Sequence, residues 1–331
     1  MLNAPPVMIA ETPLAPLLAS AAFAVCDEVG WIRIAGDDRV RWLNGMATNS
    51  IQALRPGEGC YNFFLNAQGR IQGDATAWML EDAILLETSR ERIPALIAML
   101  DHFIIMDDVE LQAVEDYAGL VIAGPDAERV LATLGLGAPA EALSLTHASF
   151  NGSPVDLLHA HSPLVPRLEV WANAATIAAL RAALSGAIPH TSNEALEQLR
   201  LLEGTPLYGI DIRDRDLPQE TAQTRGLHFA KGCYLGQEIV ERIRSRGNVH
   251  RTLTGFLLSG DLPAAGTVLT AAGAPDKPLG ELTSVSRIDL PTGPIALGLG
   301  IVRREALERT PELQYPGGTA TPTHLPYALS I

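Results

Sequence analysis

A strand-like run that breaks at a glycine and meets an aspartate one or two residues later occurs twice in this chain. No other feature restricts the fold as much. Trp31-Ile32-Arg33-Ile34-Ala35 alternates with period two, Gly36 interrupts it, and Asp37 or Asp38 can cap a helix through Val40 and Leu43. Residues 120–123, Gly124, Pro125 and Asp126 repeat the device ahead of a helical run at 127–134. The echo of Ile34-Ala35-Gly36-Asp37 in Ile122-Ala123-Gly124-Pro125-Asp126 predicts two similar α+β units.

The remaining pattern fills in around them. Residues 60–65 and 70–79 read as strands joined by the turn Asn66-Ala67-Gln68-Gly69, with a third strand at 83–88. The amphipathic run 91–102 predicts a helix that tolerates Pro94 in its first turn. Strands are expected at 109–114, 155–161 and 167–172, and helices at 174–184 and 193–203. The runs 253–258, 267–270, 279–286 and 295–302 are β-rich and separated by Gly and Pro, which suits a small barrel. Residues 310–331 carry four Pro and are expected to wrap the surface.

Composition narrows the function classes. A chain of 331 residues can hold two or three domains, and 47% hydrophobic residues is the proportion of a soluble globular protein. The net charge of -14 argues against general nucleic-acid binding, where a basic face supplies most of the affinity. Three scattered Cys form neither a disulfide framework nor a Cys-x-x-Cys pair, so a reducing compartment is expected. Residues 1–32 contain no Lys or Arg, and the apolar run 14–25 is broken by Pro16 and too short to span a bilayer. The expectation is a cytoplasmic protein, free of the membrane, whose N-terminal arm packs on the body.

Chemistry concentrates in Lys231-Gly232-Cys233-Tyr234-Leu235-Gly236-Gln237-Glu238. The chain has 22 Arg and only 2 Lys, so a scarce ammonium and a scarce thiol lie two residues apart between glycines. Ile239, Val240 and Ile243 have helical spacing, and a helix starting near Gly236 puts Cys233 just ahead of its N-terminus, where an anion is favoured. Residues 225–251 hold six cations (Arg225, Lys231, Arg242, Arg244, Arg246, Arg251) and two anions, a basic patch suited to an anionic small molecule. The bland alternative is a surface loop with a buried Cys and a solvated basic helix.

Upstream, Glu203 ends a helix beside Gly204, where a carboxylate opposes the dipole unless it has a partner. That partner is either Arg200 at i-3 or a ligand's ring N–H and amino group, the pattern of a pterin or guanine. Asp74 sits on a strand between Gly73 and Ala75, with room beside its carboxylate. The eight His show no ligand spacing beyond His159 and His161 on one strand face, and no metal site is expected. Gly298 and Gly300 lack the third Gly and following helix of a dinucleotide site.

The run from Lys231 to Glu238 with Arg242 resembles the K-G-C-[FY]-x-G-Q-E-x-x-x-R signature of YgfZ-type folate-binding proteins, relatives of the glycine-cleavage T-protein (aminomethyltransferase). Arg200-x-x-Glu203-Gly204, Pro218-Gln219-Glu220, the Gly-Asp turn at 36–38 and Gly280-x-x-Thr283-Ser284 followed by Ile295-Ala296-Leu297 fit in the same order, over residues 28 to 303 or so. The resemblance implies an α+β fold: a three-domain cloverleaf around a central channel, with two interleaved α+β subdomains in residues 1–247 and a C-terminal small β-barrel in 248–331. It implies a tetrahydrofolate-binding accessory factor (tetrahydrofolate or a one-carbon derivative) in iron–sulfur cluster assembly or repair. Its partners would be iron–sulfur client or assembly proteins, tRNA-modifying enzymes among the clients, without direct nucleic-acid contact. The alternative is a folate-dependent one-carbon (aminomethyl) transferase or demethylase. Gly73, where the T-protein has a second acid, tilts against it. A third reading is a protein that binds no folate and docks a partner through the Cys motif. Residue by residue, the resemblance assigns Glu203 to the pterin and Asp74 to the reactive folate nitrogen, and a physical account built on it gives Arg242 with neighbouring Arg to the anionic glutamate tail. Arg200, Tyr234, Gln237 and Glu238 complete the expected binding set. Cys233 is expected as a thiolate at the channel, with Lys231 lowering its pKa.

Overall fold

A computed structural model describes residues 12–329 apart from 248. The first eleven residues of the expected N-terminal arm and the last two of the C-terminal tail lie outside the described residues.

The arm contributes α1 (Ala15–Ala19) and β1 (Ala22–Val25). The first unit follows: β2 (Val29–Ala35), α2 (Arg39–Met46), β3 (Gly59–Leu65), β4 (Ile71–Met79), β5 (Ile84–Ser89), α3 (Ile93–Asp101) and β6 (Glu110–Val114). The second runs β7 (Ala118–Ala123), α4 (Ala127–Thr133), β8 (Ser144–Phe150), β9 (Ser153–Ala160), β10 (Arg167–Ala172) and α5 (Ala174–Ser185). Their sheets have the orders β3-β4-β5-β2-β6 and β8-β9-β10-β7-β1, all antiparallel. The four core strands are therefore ordered identically, and only the fifth differs: β1, which precedes the first unit, crosses over to complete the second sheet.

The repeated glycine earns its place sterically. Gly36 (φ +99°) and Gly124 (φ +128°) bring backbone so close to another segment that a Cβ would lie 2.1 Å from Asp108 O or 2.4 Å from Ser20 O. In both, the N–H two residues on donates to that same carbonyl, Asp38 to Asp108 at 3.1 Å and Asp126 to Ser20 at 2.8 Å. The expected side-chain cap is absent. Asp38 precedes α2, but its carboxylate accepts from Asp108 N at 3.0 Å and pairs with Arg41.

Alternation along each strand buries both faces of the sheets. Ile32 and Ile34 pack under α2 and α3 with Trp42, Leu43, Leu96 and Leu100, and Leu120 and Ile122 pack under α4 and α5 with Val130, Leu131, Ile177 and Leu180. The opposite faces meet in a central core containing Trp31, Trp78, Val121, Leu158 and Trp171, where Trp31 and Trp171 cross edge-to-face at 5.0 Å.

After α6 (Asn193–Glu203), a loop with short 3-10 turns leads to α7 (Gln237–Arg246). The chain then forms β11 (Arg251–Gly260), β12 (Val268–Ala271), β13 (Ala274–Leu290), β14 (Gly293–Arg303), α8 (Arg304–Arg309), β15 (Leu313–Tyr315) and β16 (Gly318–Thr323). The strands close as β11-β14-β13-β12-β15-β16. The Pro-rich segment expected to wrap the surface instead supplies β15 and β16, and β16 pairs with β11 to complete the ring. Only the stretch beyond Thr323 acts as a strap: Leu325 lies against Gly204 and Gly255, and Tyr327 N donates to Leu202 O at 2.7 Å.

A buried polar joint ties barrel to body. Arg200 reaches Asp211 at 2.7 Å and Ser284 at 2.9 Å, and Asp211 accepts from Thr283 at 2.5 Å and Ser284 at 2.7 Å. Arg251 pairs with Asp216 and Glu220 nearby. Among the described residues no helix is long and apolar enough to cross a membrane.

Candidate functional site

A cavity of about 530 Å³ opens between the two sheets. The first sheet contributes Tyr61, Asp74, Trp78 and Glu87, the second Arg167 and Glu169, α6 Arg200 and Glu203, and the loops Arg92, Tyr208 and Arg225. A second cavity of about 620 Å³ lies towards the barrel, lined by Leu253, Thr254, Gly255 and residues 322–326. His161, Glu203, Thr205 and Arg225 line both, so the two meet at Glu203. The size and the mixture of aromatic rings with a few fixed charges suit a flat, drug-sized ligand.

Glu203 ends α6, and Gly204 turns the chain away in the left-handed conformation (φ +71°). The carboxylate accepts from Ser162 Oγ and, at 3.4 Å, from Leu164 N, both through Oε1. Oε2 accepts no hydrogen bond among the described residues. Arg200 is not its partner: that side chain turns to Glu197, Asp211, Ser284 and the Thr205 carbonyl. Burial raises the Glu203 pKa, opposed by the Ser162 and Leu164 hydrogen bonds and by Arg167 and Arg225.

Asp74 projects from β4 into the cavity, and Tyr61 donates its hydroxyl to Oδ2 at 2.6 Å. Burial raises this pKa too, against the Tyr61 hydrogen bond and the charge of Arg225. The Arg225 guanidinium lies over the Tyr61 ring at 4.1 Å, and its Nε donates to Gln223 at 3.1 Å. His161 is pushed down to about 4 by burial and by Arg225, so it is neutral at physiological pH.

The Lys231–Glu238 motif lies elsewhere. Neither cavity is lined by Lys231, Cys233, Tyr234, Gln237, Glu238 or Arg242, and Cys233, Glu238 and Arg242 are exposed. Lys231 Nζ donates to the carbonyls of Asn44 (2.7 Å), Ala47 (2.6 Å) and Asn49 (2.6 Å) around the end of α2, and lies 5.0 Å over the Tyr234 ring. Its ammonium thus anchors the loop rather than serving the thiol, and burial lowers its pKa to about 8. Gln237 accepts from Tyr234 N at 3.1 Å and shapes the turn into α7. Of the expected tail cations, Arg242 is exposed, and the side chain of Arg246 lies outside the described residues; the cations that line the cavity are Arg92, Arg167, Arg200 and Arg225.

Motif and cavity are joined through packing. Gly236 (φ +80°) sits on the hairpin between β3 and β4, where a Cβ would lie 2.6 Å from Asn66 O. Val240 and Tyr234 pack on Tyr61, Phe63 and Leu65, the cluster whose Tyr61 hydroxyl reaches Asp74.

Glu87, Glu169, Arg167 and Arg225 escaped the sequence reading as individual site residues. The usable signal was a carboxylate inside an apolar strand, as in Ile84-Leu85-Leu86-Glu87 and Leu168-Glu169-Val170-Trp171. Among the described residues no group of three or more His, Cys, Asp or Glu side chains could hold a metal ion.

Residues 20–158 match the family model described as the GCVT N-terminal domain. The chain is 29% identical over 288 residues to a putative chloroplastic transferase of Arabidopsis thaliana, an alignment covering 84% of this chain and 64% of that protein. It is 25% identical over 254 residues to the tRNA-modifying protein YgfZ of Yersinia enterocolitica (74% of this chain, 76% of that one) and 25% over 270 residues to the Yersinia pestis protein of the same name (78% and 80%). The crystal structure of glycine cleavage system aminomethyltransferase T from Bartonella henselae superposes with a TM-score of 0.83 at 20% identity, covering 96% of this chain and 88% of that one.

Proposed function

Because this chain is a YgfZ-type protein with the T-protein fold, we propose that it binds tetrahydrofolate or a one-carbon derivative and acts as an accessory factor in iron–sulfur cluster assembly or repair. The clients would include tRNA-modifying enzymes, in keeping with the name of the Yersinia relatives. One observation carries the folate part: the Glu203 carboxylate stands where the two cavities meet, with Oε2 free of partners among the described residues. A carboxylate so placed can accept from a pterin ring N–H and its amino group together. Tyr61, Trp78 and Tyr208 offer apolar walls, Asp74 a second carboxyl, and Arg225 a cation for the anionic tail. These residues fit a reduced folate. The one-carbon transferase reading has less support, since Gly73 leaves Asp74 without a second acid beside it.

The motif would act outside the cavity. An exposed Cys233 on a loop anchored by Lys231 is suited to reach a protein client, as nucleophile or transient metal ligand.

Calorimetric titration of tetrahydrofolate tests the assignment. Glu203→Gln is expected to weaken binding about 10- to 100-fold, the loss of a charge-assisted pair. Unchanged affinity refutes the pterin contact, and absence of binding to the wild-type protein refutes the folate reading. Cys233→Ala should keep folate affinity while failing to restore iron–sulfur tRNA-modifying activity in a deletion strain. Full restoration removes the thiol from the account.

A further inference from the structure

Glu87 has no role in the reading above, yet it lines the same cavity. It projects from β5 between Trp31 on β2 and Thr76 on β4, neither of which carries charge. Trp78 Nε1 donates to its Oε2 at 2.8 Å. Oε1 has no hydrogen-bond partner among the described residues. The charged and titratable groups facing it come from other elements: Glu169 and Arg167 on β10, Arg225 in the loop before α7, Tyr117 ahead of β7 and the Cys26 thiol after β1. Glu169 is 1% exposed and already holds Arg167 at 2.8 Å and Trp171 Nε1 at 3.0 Å. Two carboxyls thus share one closely paired guanidinium, and Glu169 has it.

We propose that Glu87 is a specificity-determining residue of the cavity, a protonated carboxyl that donates from Oε1 to the ring carbonyl of a 4-oxo pterin. The proposal rests on the folate reading and extends it to the ring carbonyl, which adjoins the ring N–H on the same edge of the pterin. A neutral carboxyl satisfies the geometry, because its carbonyl oxygen takes the indole N–H while its hydroxyl is left for a ligand. Burial first, then the negative charge of Glu169, raises the pKa to about 8, against Trp78, Arg167 and Arg225. Glu203, by contrast, receives two donors through Oε1. One carboxyl then accepts from the ring N–H side while another donates to the C=O side, a division set by surroundings rather than residue type.

The test compares tetrahydrofolate with its 4-amino analogue on wild-type protein and Glu87→Gln by calorimetry from pH 7 to 9.5. Wild-type protein should favour the 4-oxo form more than about tenfold at pH 7, because the 4-amino analogue loses the Glu87 hydrogen bond and also the ring N–H that Glu203 accepts from. The Glu87 share of that preference, about tenfold, should fade as pH passes through about 8, because an ionised carboxylate repels the carbonyl and accepts from the amino group. Glu87→Gln, whose amide can either donate or accept, should show a smaller preference with no pH dependence. The same preference and profile in Glu87→Gln overturns the proposal. The unliganded protein supplies a separate readout, since the Trp78 indole N–H resonance should titrate near pH 8 in the wild type and stay fixed in Glu87→Gln. A resonance insensitive to pH in the wild type overturns the protonated Glu87 whatever ligand binds. If no folate binds the wild type at any pH, the folate reading fails, and with it the ligand named here.

Discussion

Lys231 shows a conspicuous residue working through the backbone. The carbonyls of Asn44 and Ala47 lie in and just after the last turn of α2, where a helix leaves carbonyls unpaired and its dipole is negative. A lysine ammonium with three donors matches the three oxygens it meets. Lys231→Met keeps the length of the chain but strands these carbonyls, and should cost about 2–4 kcal/mol. A urea melt with unchanged m-value would measure it, and a loss below about 0.5 kcal/mol would mean water replaces the ammonium freely. The short Lys-Gly-Cys spacing therefore serves presentation: the lysine holds one end of a loop whose cysteine, two residues on, stays exposed.

Between elements, the decisive contact is that of α7 with the hairpin joining β3 and β4. Gly236 begins α7 with φ +80° and sits 2.6 Å, measured from a notional Cβ, from Asn66 O, while Gly69 of the hairpin faces Ile239 at 2.7 Å. Gly236→Ala combines a left-handed backbone with a backbone clash and should destabilise by about 2 kcal/mol or more. Gly232→Ala, with nothing within 4 Å of the added methyl, should change stability by less than about 0.5 kcal/mol. Thermal melts of the two variants side by side check both values; equal effects would show that the hairpin does not constrain the helix. The same contact explains how an exposed motif and a buried cavity belong to one folded unit, since Tyr61 lies in the layer between them.

At the scale of the molecule, the two α+β units are interleaved rather than serial, because β1 precedes the first unit and pairs with β7 of the second. Phe23 of β1 is fully buried among Leu120, Leu168 and Val170. A chain starting at Asp27 should therefore leave β7 as a bare edge and open a cavity under α4 and α5. Hydrogen exchange should speed up in β7 and β10 before it does in β2 and β5. Retained protection in β7 would show that the second unit stands without the arm. The strand-glycine-aspartate repeat, the strand and helix runs and the barrel-like C-terminal pattern were legible in the sequence, since periodicity, glycine and turn residues act over a few positions. So was the Lys-Gly-Cys motif, with its resemblance. The sequence did not disclose that β1 crosses over, that a Pro-rich tail closes the barrel, or that Arg225, Glu87 and Glu169 converge with Glu203 while Cys233 stays outside. Those outcomes join segments from tens of residues to more than a hundred apart. They are decided by which faces pack together and which carboxyl secures the available arginine, and no local pattern of residues carries that information.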